Sequence, residues 1–487
     1  MGVKADIGIA GLAVMGANLA LNFESKGNRV ALYNRSEDKL EYFMNSAGKG
    51  KNFQATSSIP EFLGMLEHPR KIILLIRSGK PVDDFIHNME PHLVPGDIII
   101  DAGNSFYRDT QRRAEHLKKR GVEYVGLGIS GGEEGAFYGP SLMAGCSEKA
   151  WKELEGPLSA IAAKAEGKTC CARVGTDGAG HFVKMIHNGI EYADMQLIAE
   201  AYAYMRDGLK MTPDEMSRAF ERWNTTPELG SYLIGITANI LKKKDADTGN
   251  YLVDMILDTA GQKGTGKWTS EAAFDLSVST PTIAESVFAR IVSSLKEERM
   301  EAYELLPGCE VKELGRVSRT QELEKLKHAL TAAKLCVFAQ GFSLITTAAK
   351  AFKWKIDPAE VADIWQGGCI IRAAMLTDIA KAYRKDPKLE NLLLSPVFRN
   401  TLATVNSDWR NIASYCIRSN IAIPALSSTI AYYDSFRTAK LPANMIQALR
   451  DYFGSHMFER IDAPRGKMFH AEWFDSATKI TSTDYNV

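Results

Sequence analysis

The sequence predicts an α/β domain on a mostly parallel sheet, then a large all-α domain with an internal helical repeat, then a C-terminal tail. Three observations predict it. Short apolar runs alternate with helical patterns up to about Gly178. After Gly180 the strand signals nearly vanish, and helical periodicity dominates to about Arg437. Within that stretch one segment recurs at a fixed offset. At 487 residues the chain is too long for a single core. The expected domains are 1–178, 179–440 and 441–487.

Composition narrows the class. Lys plus Arg and Asp plus Glu are 59 each, so no whole-molecule field points to nucleic acid or an anionic membrane. No apolar run comes near the length needed to span a bilayer. The N-terminus runs straight into a strand with no signal peptide, and Asp6 stands where a myristoylation signal needs Ser or Thr. The last residues are not a peroxisomal Ser-Lys-Leu. The seven cysteines form no C-x-x-C pair, and nothing near Cys170-Cys171 supplies metal-ligand spacing. Reduced thiols and a cytoplasmic location are expected.

Asp6-Ile7-Gly8-Ile9-Ala10 is a short buried-strand pattern. It leads into Gly11-Leu12-Ala13-Val14-Met15-Gly16 and a helical pattern that Gly27 stops. Arg29 to Tyr33 is the next strand. This is the first unit of a Rossmann-like, dinucleotide-binding domain. The first glycine allows the tight turn, the last lets helix and strand pack closely, and the helix start offers free N–H groups to a pyrophosphate. Ala13 replaces the usual middle glycine. At the end of the second strand an NAD site carries a carboxylate. Here the chain reads Asn34-Arg35-Ser36, and an arginine with two polar neighbours suits a 2′-phosphate, so NADP is favoured over NAD.

Lys71 to Ile76 is the third strand, continuous and apolar after its lysine as a strand covered on both faces should be, and Asp97 to Asp101 is the fourth. The fourth ends in Ala102-Gly103-Asn104-Ser105, at a strand's carboxyl end where ligands bind. Strands at Glu123–Gly126 and Ser141–Ala144 flank a glycine-rich loop, Gly128 to Ala136, with Ser130, Gly131 and Gly132 within it. That loop suits either close approach to a ligand or plain flexibility. Val174 to Gly180 has the turn residues of a linker and caps the following helix.

That helix, from about His181 to Met205, carries Lys184, His187, Asn188 and Glu191 along one stripe. Lys184 and Glu191 lie two turns apart, about 10 Å. A base and an acid at that separation suit proton chemistry at neighbouring carbons of a small polar substrate. Taken alone, a solvated polar face accounts for the stripe more simply. The repeat changes this. Leu209 to Met216 matches Trp354 to Val361, with Thr212 and Asp357 as N-caps before a proline. In that register Lys184 falls at Ala329 and Glu191 near Cys336. The helical scaffold is repeated but the charged stripe is not. A second polar cluster, Asp258 to Thr269, holds three glycines with Lys263 and Lys267 and suits an anion, though it is no Walker A. Arg290 follows on a helix beginning near Pro281, where a salt bridge is its plainest role. The tail has one short helix, Asn444 to Phe453, and then an aromatic-rich stretch including Phe469, His470, Trp473 and Phe474 that must bury against either the body of the protein or a second subunit.

With these motifs in hand, the chain resembles the 6-phosphogluconate dehydrogenase family, nearly end to end. The carriers are Gly-Leu-Ala-Val-Met-Gly with Asn-Arg-Ser, Ser-Gly-Gly-Glu-Glu-Gly-Ala, the Lys184 to Tyr192 helix, Lys-Gly-Thr-Gly-Lys-Trp from Lys263, and Arg-Asp-Tyr-Phe-Gly-x-His from Arg450. Ala13 is normal for that family. The resemblance implies NADP as cofactor, 6-phospho-D-gluconate as substrate, and ribulose 5-phosphate, CO₂ and NADPH as products, with no metal. It implies Lys184 as general base and Glu191 as general acid. It implies that Asn104, Ser130, Gly131, Gly132, His187 and Asn188 hold the sugar acid, and Tyr192, Lys263 and Arg290 its phosphate. Gly11, Ala13, Val14, Gly16 and Asn104 belong to the cofactor site, with Met15 near the nicotinamide and Asn34, Arg35 and Ser36 near the 2′-phosphate. Arg450 and His456 would be donated to the neighbouring subunit of a homodimer. Departures from the family pattern are Ala102, Ala193 and Cys146 for Gly, Phe137 for Arg, Ala144 for Pro, and Ser36 for Thr. Phe137 is the departure to watch, since a lost arginine near the substrate loop bears on affinity or on the domain contacts. Two other readings stay open from the residues alone. A β-hydroxyacid dehydrogenase would not need Glu191 or the Lys263–Arg290 pair, and a retired NADP sensor would have lost its base first.

Overall fold

The computed structural model describes residues 3–309 and 318–473. Phe474 and the chain end lie outside the described residues. The chain forms two compact units that divide at Ile430/Ala431.

The first unit opens with a sheet of eight strands. These are β1 (Ile7–Ala10), β2 (Val30–Tyr33), β3 (Phe53–Thr56), β4 (Lys71–Leu74), β5 (Ile98–Asp101), β6 (Glu123–Ser130), β7 (Ser141–Gly145) and, after a small hairpin of β8 (Lys164–Ala165) and β9 (Lys168–Thr169), β10 (Cys171–Gly175). Their order is β10-β7-β6-β5-β4-β1-β2-β3. All neighbours are parallel except β6 and β7. The apolar runs alternate sides. Ile7, Ile9, Ile73, Ile98 and Ile100 enter one core layer, and Ala10, Ile72, Leu74 and Ile99 the other. The order reverses between β1 and β4, which opens a crevice at their carboxyl ends.

Three expectations need correction here. The strand β3 was not anticipated. It sits at the sheet edge, is polar and only half covered, and so lacks the apolar run that marks its neighbours. Gly128 to Ser130 is not loop but the end of an eight-residue β6, and Gly132–Tyr138 is a short helix. Glycine reads as flexible, but here it lets a helix press on the strand. Val174 and Gly175 end β10 rather than forming a linker, and no side chain caps the helix that follows.

Beyond the sheet the unit is helical. The Ala179–Ala203 helix packs on the Arg319–Ala351 helix, where the missing Cβ of Gly341 admits Ile190 and Ile186. A buried pair, Lys334 with Asp194 at 2.8 Å, crosses the same interface. The repeated caps form as the sequence predicts: Thr212 in a capping box with Glu215, and Asp357 accepting from the Ala359 N–H. The Arg319–Ala351 helix corrects the expectation of no membrane-length apolar run. By length and composition it qualifies, yet 89% of its apolar window is buried inside the protein. A helix enclosed on all sides is apolar all round.

In the second unit the Ala443–Gly454 helix is followed by an antiparallel hairpin of Phe458–Glu459 with Met468–Phe469, which was not foreseen. Both organise around Asp451. Its buried carboxylate accepts from the Met457 and Ala471 N–H groups and from Trp473 Nε1, and meets His470 Nδ1 at 2.9 Å. Burial alone would raise its pKa, but these bonds outweigh burial and hold it at about 2. His470 and Trp473 are thus tied to Asp451, yet Trp473 stays 41% exposed, so these contacts leave the aromatic stretch largely uncovered.

Candidate active site

The glycine turn is built to admit a phosphate backbone. A Cβ on Gly11, whose φ is +103°, would fall 2.4 Å from the Leu75 carbonyl oxygen, and one on Gly16 would fall 1.9 Å from that of Gly11. Ala13 stands at the N-cap of the Val14–Ser25 helix without a side-chain cap, leaving the first N–H groups for an anion. Asn34 Oδ1 accepts the Leu12 N–H at 3.3 Å, and its Nδ2 donates to the Ser36 carbonyl at 3.0 Å. This ties the turn to the loop that presents Arg35 to solvent. The residues present fit a dinucleotide with a 2′-phosphate.

The stripe is buried at Lys184, His187 and Asn188 and half-buried at Glu191 rather than solvated. Lys184 is 7% exposed and His187 fully enclosed. The reason is local. A Cβ on Gly128 would meet Lys184 Cβ at 2.5 Å, and one on Gly180 would meet the Gly126 carbonyl at 2.1 Å. Glycines on both sides let the helix lie directly on β6. Lys184 Nζ is 3.3 Å from His187 Nδ1, which is 3.7 Å from a Glu191 carboxylate oxygen and 3.2 Å from Asn188 Oδ1. His187 Nε2 meets Ser130 Oγ at 3.0 Å, and Trp365 closes the far side edge-on.

Burial pushes the Lys184 amine below the usual lysine range, against the pull of Glu191 and Cys369. It raises the Glu191 carboxyl, with Lys184 and Arg290 pulling the other way. Burial first, and the Lys184 charge second, hold His187 far below its ordinary value, so the ring is neutral. A desolvated amine and a desolvated carboxyl are each driven toward the uncharged form, the form a base and an acid need.

A cleft of about 620 Å³ joins these parts. Met15, Asn104, Ser130, Gly131 and Gly132 line it from the sheet domain, and Lys184, Asn188, Glu191 and Tyr192 from the Ala179–Ala203 helix. Lys263 and Arg290 line its other end. The Arg290 guanidinium carbon sits 3.6 Å from the Tyr192 ring centroid, and Nη1 donates to the Gly261 carbonyl at 3.0 Å. The Lys263 N–H donates to Tyr192 Oη at 3.3 Å. Gly266 permits this, since its Cβ would fall 2.6 Å from that ring. In place of the salt bridge expected of Arg290, the guanidinium stacks on an aromatic face. Lys267, grouped with Lys263 in the sequence, points elsewhere. The helix starts at Thr265, and Lys267 pairs with Glu271 at 3.4 Å on its outer side.

His187 lies beneath the cleft wall rather than on it. Arg450 and His456 belong to the second unit, where Arg450 Nη1 donates to Gln447 Oε1 and His456 packs on Phe453. Sequence reasoning missed Met195 and Ile370 on the cleft wall. Met195 continues the stripe one turn past Glu191, which its spacing could have shown. Ile370 follows Gly367-Gly368, a glycine pair between two helical runs, and the Gly368 carbonyl lies 2.7 Å from where a Gly131 Cβ would be.

Comparison with known proteins accords with this geometry. The family model "6-phosphogluconate dehydrogenase, C-terminal domain" matches residues 180–473, and "NAD binding domain of 6-phosphogluconate dehydrogenase" matches 6–175. The NADP(+)-dependent, decarboxylating 6-phosphogluconate dehydrogenase of Bacillus subtilis is 50% identical over 96% of this chain and 99% of its own length. The decarboxylating enzyme of Mus musculus is 47% identical over 99% of each. The solved Plasmodium falciparum 6-phosphogluconate dehydrogenase, described in complex with NADP+ and with 6-phosphogluconate, superposes with a TM-score of 0.92. It is 41% identical, over 96% of this chain and 100% of that one.

Proposed function

The chain belongs to the 6-phosphogluconate dehydrogenase family, and from that premise we propose how its residues divide the work. The reaction is the NADP-dependent oxidative decarboxylation of 6-phospho-D-gluconate to D-ribulose 5-phosphate, CO₂ and NADPH, a step of the pentose phosphate pathway. Bound NADP supplies the hydride acceptor. Lys184 is the general base. It takes the proton of the C3 hydroxyl as that carbon is oxidised. It returns the proton to the C3 oxygen as the β-keto acid loses CO₂, and removes it again when the enediol becomes the ketone. Glu191 is the general acid that protonates the carbon left by CO₂. Asn104, Ser130, Gly131, Gly132 and Asn188 hold the sugar acid, with His187 supporting Ser130 and Lys184 from beneath the wall, and Tyr192, Lys263 and Arg290 hold its phosphate. Gly11, Ala13, Val14, Met15, Gly16, Asn34, Arg35 and Ser36 hold the cofactor. Residues 1–178 hold the cofactor and lend Asn104, Ser130, Gly131 and Gly132 to the substrate, 179–440 supply the rest of the substrate site, and 441–487 reach a partner subunit.

The observation that carries the acid–base assignment is the burial of Lys184 with the half-buried Glu191 along one cleft, both close to the neutral His187. The test is to supply 6-phosphogluconate and NADP and follow NADPH together with CO₂. Reduction without CO₂ would sink the decarboxylase reading. Lys184→Met should lower kcat by about 10³-fold or more while NADP still binds, because it removes a base used at several steps. An active variant would refute its role.

The protein is a cytoplasmic homodimer in this reading, with Arg450 and His456 donated across the interface. All seven cysteines are free thiols, which supports a reducing compartment. Mixing Lys184→Met chains with Arg450→Ala chains tests the donation. Activity returns if one subunit supplies Lys184 and the other Arg450, and stays lost if each site is built from one chain.

A further inference from the structure

We propose that the space beside Lys184 is a built site for one water molecule, and that Ser105 and His181 are positioning residues that orient the Lys184 amine through it. The inference rests on Lys184 as the base. A small cavity adjoins the main cleft, and Lys184, Asn104, Asn188 and Thr265 line both. Ser105 and His181 line the small cavity alone. The room open to a water's centre is about 10 Å³, and a single water needs on the order of 10–15 Å³. Size therefore admits one water and no larger ligand.

Independent of size, the wall carries two buried polar atoms without a partner among the described residues, Ser105 Oγ and His181 Nε2. Ser105 is 4% exposed and His181 2%. Buried polar atoms are seldom left unpaired, and ordered water is the usual remedy. His181 is fixed in place. Its Nδ1 meets Thr110 Oγ1 at 2.7 Å. The Asp101 and Gly103 carbonyls lie near the ring and favour its charged form, yet Nε2 makes no well-aligned hydrogen bond to either. Burial keeps the ring neutral, so Nε2 is a donor or an acceptor according to the tautomer, and water serves both.

The consequence falls on Lys184. Among the described residues its one hydrogen-bond partner is His187, at 3.3 Å. An amine held at one point can turn about that contact. A second contact to a fixed water restrains the turn and aims the lone pair at the substrate hydroxyl. The water is not consumed, and no bond to it forms or breaks. It also solvates the ammonium formed at each proton uptake, so its loss favours the neutral amine.

A high-resolution crystal structure of the holoenzyme with NADP is the direct test. Ordered density within hydrogen-bond distance of Ser105 Oγ and His181 Nε2 is expected, and a dry cavity overturns the proposal. The density reads the water whatever Lys184 does, whereas an active Lys184→Met enzyme would remove only the base assignment. For the positioning role, Ser105→Ala should lower kcat about tenfold, leave KM for 6-phosphogluconate within about twofold, and move the acid limb of the pH profile about half a unit lower. His181→Gln should shift that limb in the same direction. Unmoved limbs in both folded variants would overturn the positioning role.

Discussion

Gly128→Ala tests the placement of the base more sharply than any change to the base itself. The added Cβ would fall 2.5 Å from Lys184 Cβ, 2.9 Å from the Gly180 carbonyl oxygen and 3.3 Å from Lys184 Cγ. Carbon atoms pack at about 3.5–4.0 Å, so the lysine stem must retreat by about 1 Å. Little gives way around it. The helix start is pressed on β6 and β7 through Gly180, and further along it is pressed by Gly341 from behind. Overpacking of this kind costs about 1–3 kcal/mol, and a 1 Å misplacement of a reacting group costs about 10²-fold in rate. The expected variant is folded, melts a few degrees lower, and turns over about 10²-fold more slowly. Its NADP affinity stays within about threefold, since the Gly11–Gly16 turn is untouched. Differential scanning calorimetry, steady-state kinetics and a fluorescence titration with NADP read the three quantities. Wild-type turnover in a variant of lowered Tm would refute the idea that contact with β6 positions the amine.

Other outcomes follow from the same geometry. Arg290→Lys keeps a cation but loses the stack on Tyr192; KM for 6-phosphogluconate should rise about tenfold or more with KM for NADP nearly constant, and equal rises in both would argue against a phosphate role. Arg35→Ala should weaken NADP about 10–100-fold and NAD little, the worth of a lost charge-assisted contact; equal losses would mean that Arg35 does not meet the 2′-phosphate. Glu200 gives a pH signature. Its carboxyl accepts from the Ala425 and Leu426 N–H groups and is buried, and burial raises its pKa to about 7. The unfolded value is about 4.3. The folded state therefore holds the proton more tightly, and the stability this contributes is full below about pH 4.3 and lost as pH rises through 7. Glu200→Gln, which cannot titrate, should gain Tm relative to wild type between pH 5 and about 8; a constant difference across that range would exclude the linkage.

Much of this enzyme was legible in its sequence. The alternation of apolar strands with helical runs, the glycine turn before the Val14–Ser25 helix and the paired Thr212 and Asp357 caps are local signals, set by backbone sterics and side-chain period, and the structure carries each of them. The charged stripe is equally local, because helix geometry alone puts Lys184, His187, Asn188 and Glu191 on one face. What lay against that face was not local. A solvated stripe and a catalytic one have the same spacing. Only tertiary packing separates them, through Gly128 and Gly180 bringing β6 onto the helix and burying the amine. The same holds where expectation failed. Gly128 to Ser130 became strand because a partner strand and a helix covered it, and the apolar window of the Arg319–Ala351 helix is 89% buried inside the protein. Residue type and order determined the elements and which groups were available for chemistry. The tertiary structure decided which of those groups left water, and desolvation is what drives an amine and a carboxyl toward the uncharged forms that a base and an acid require.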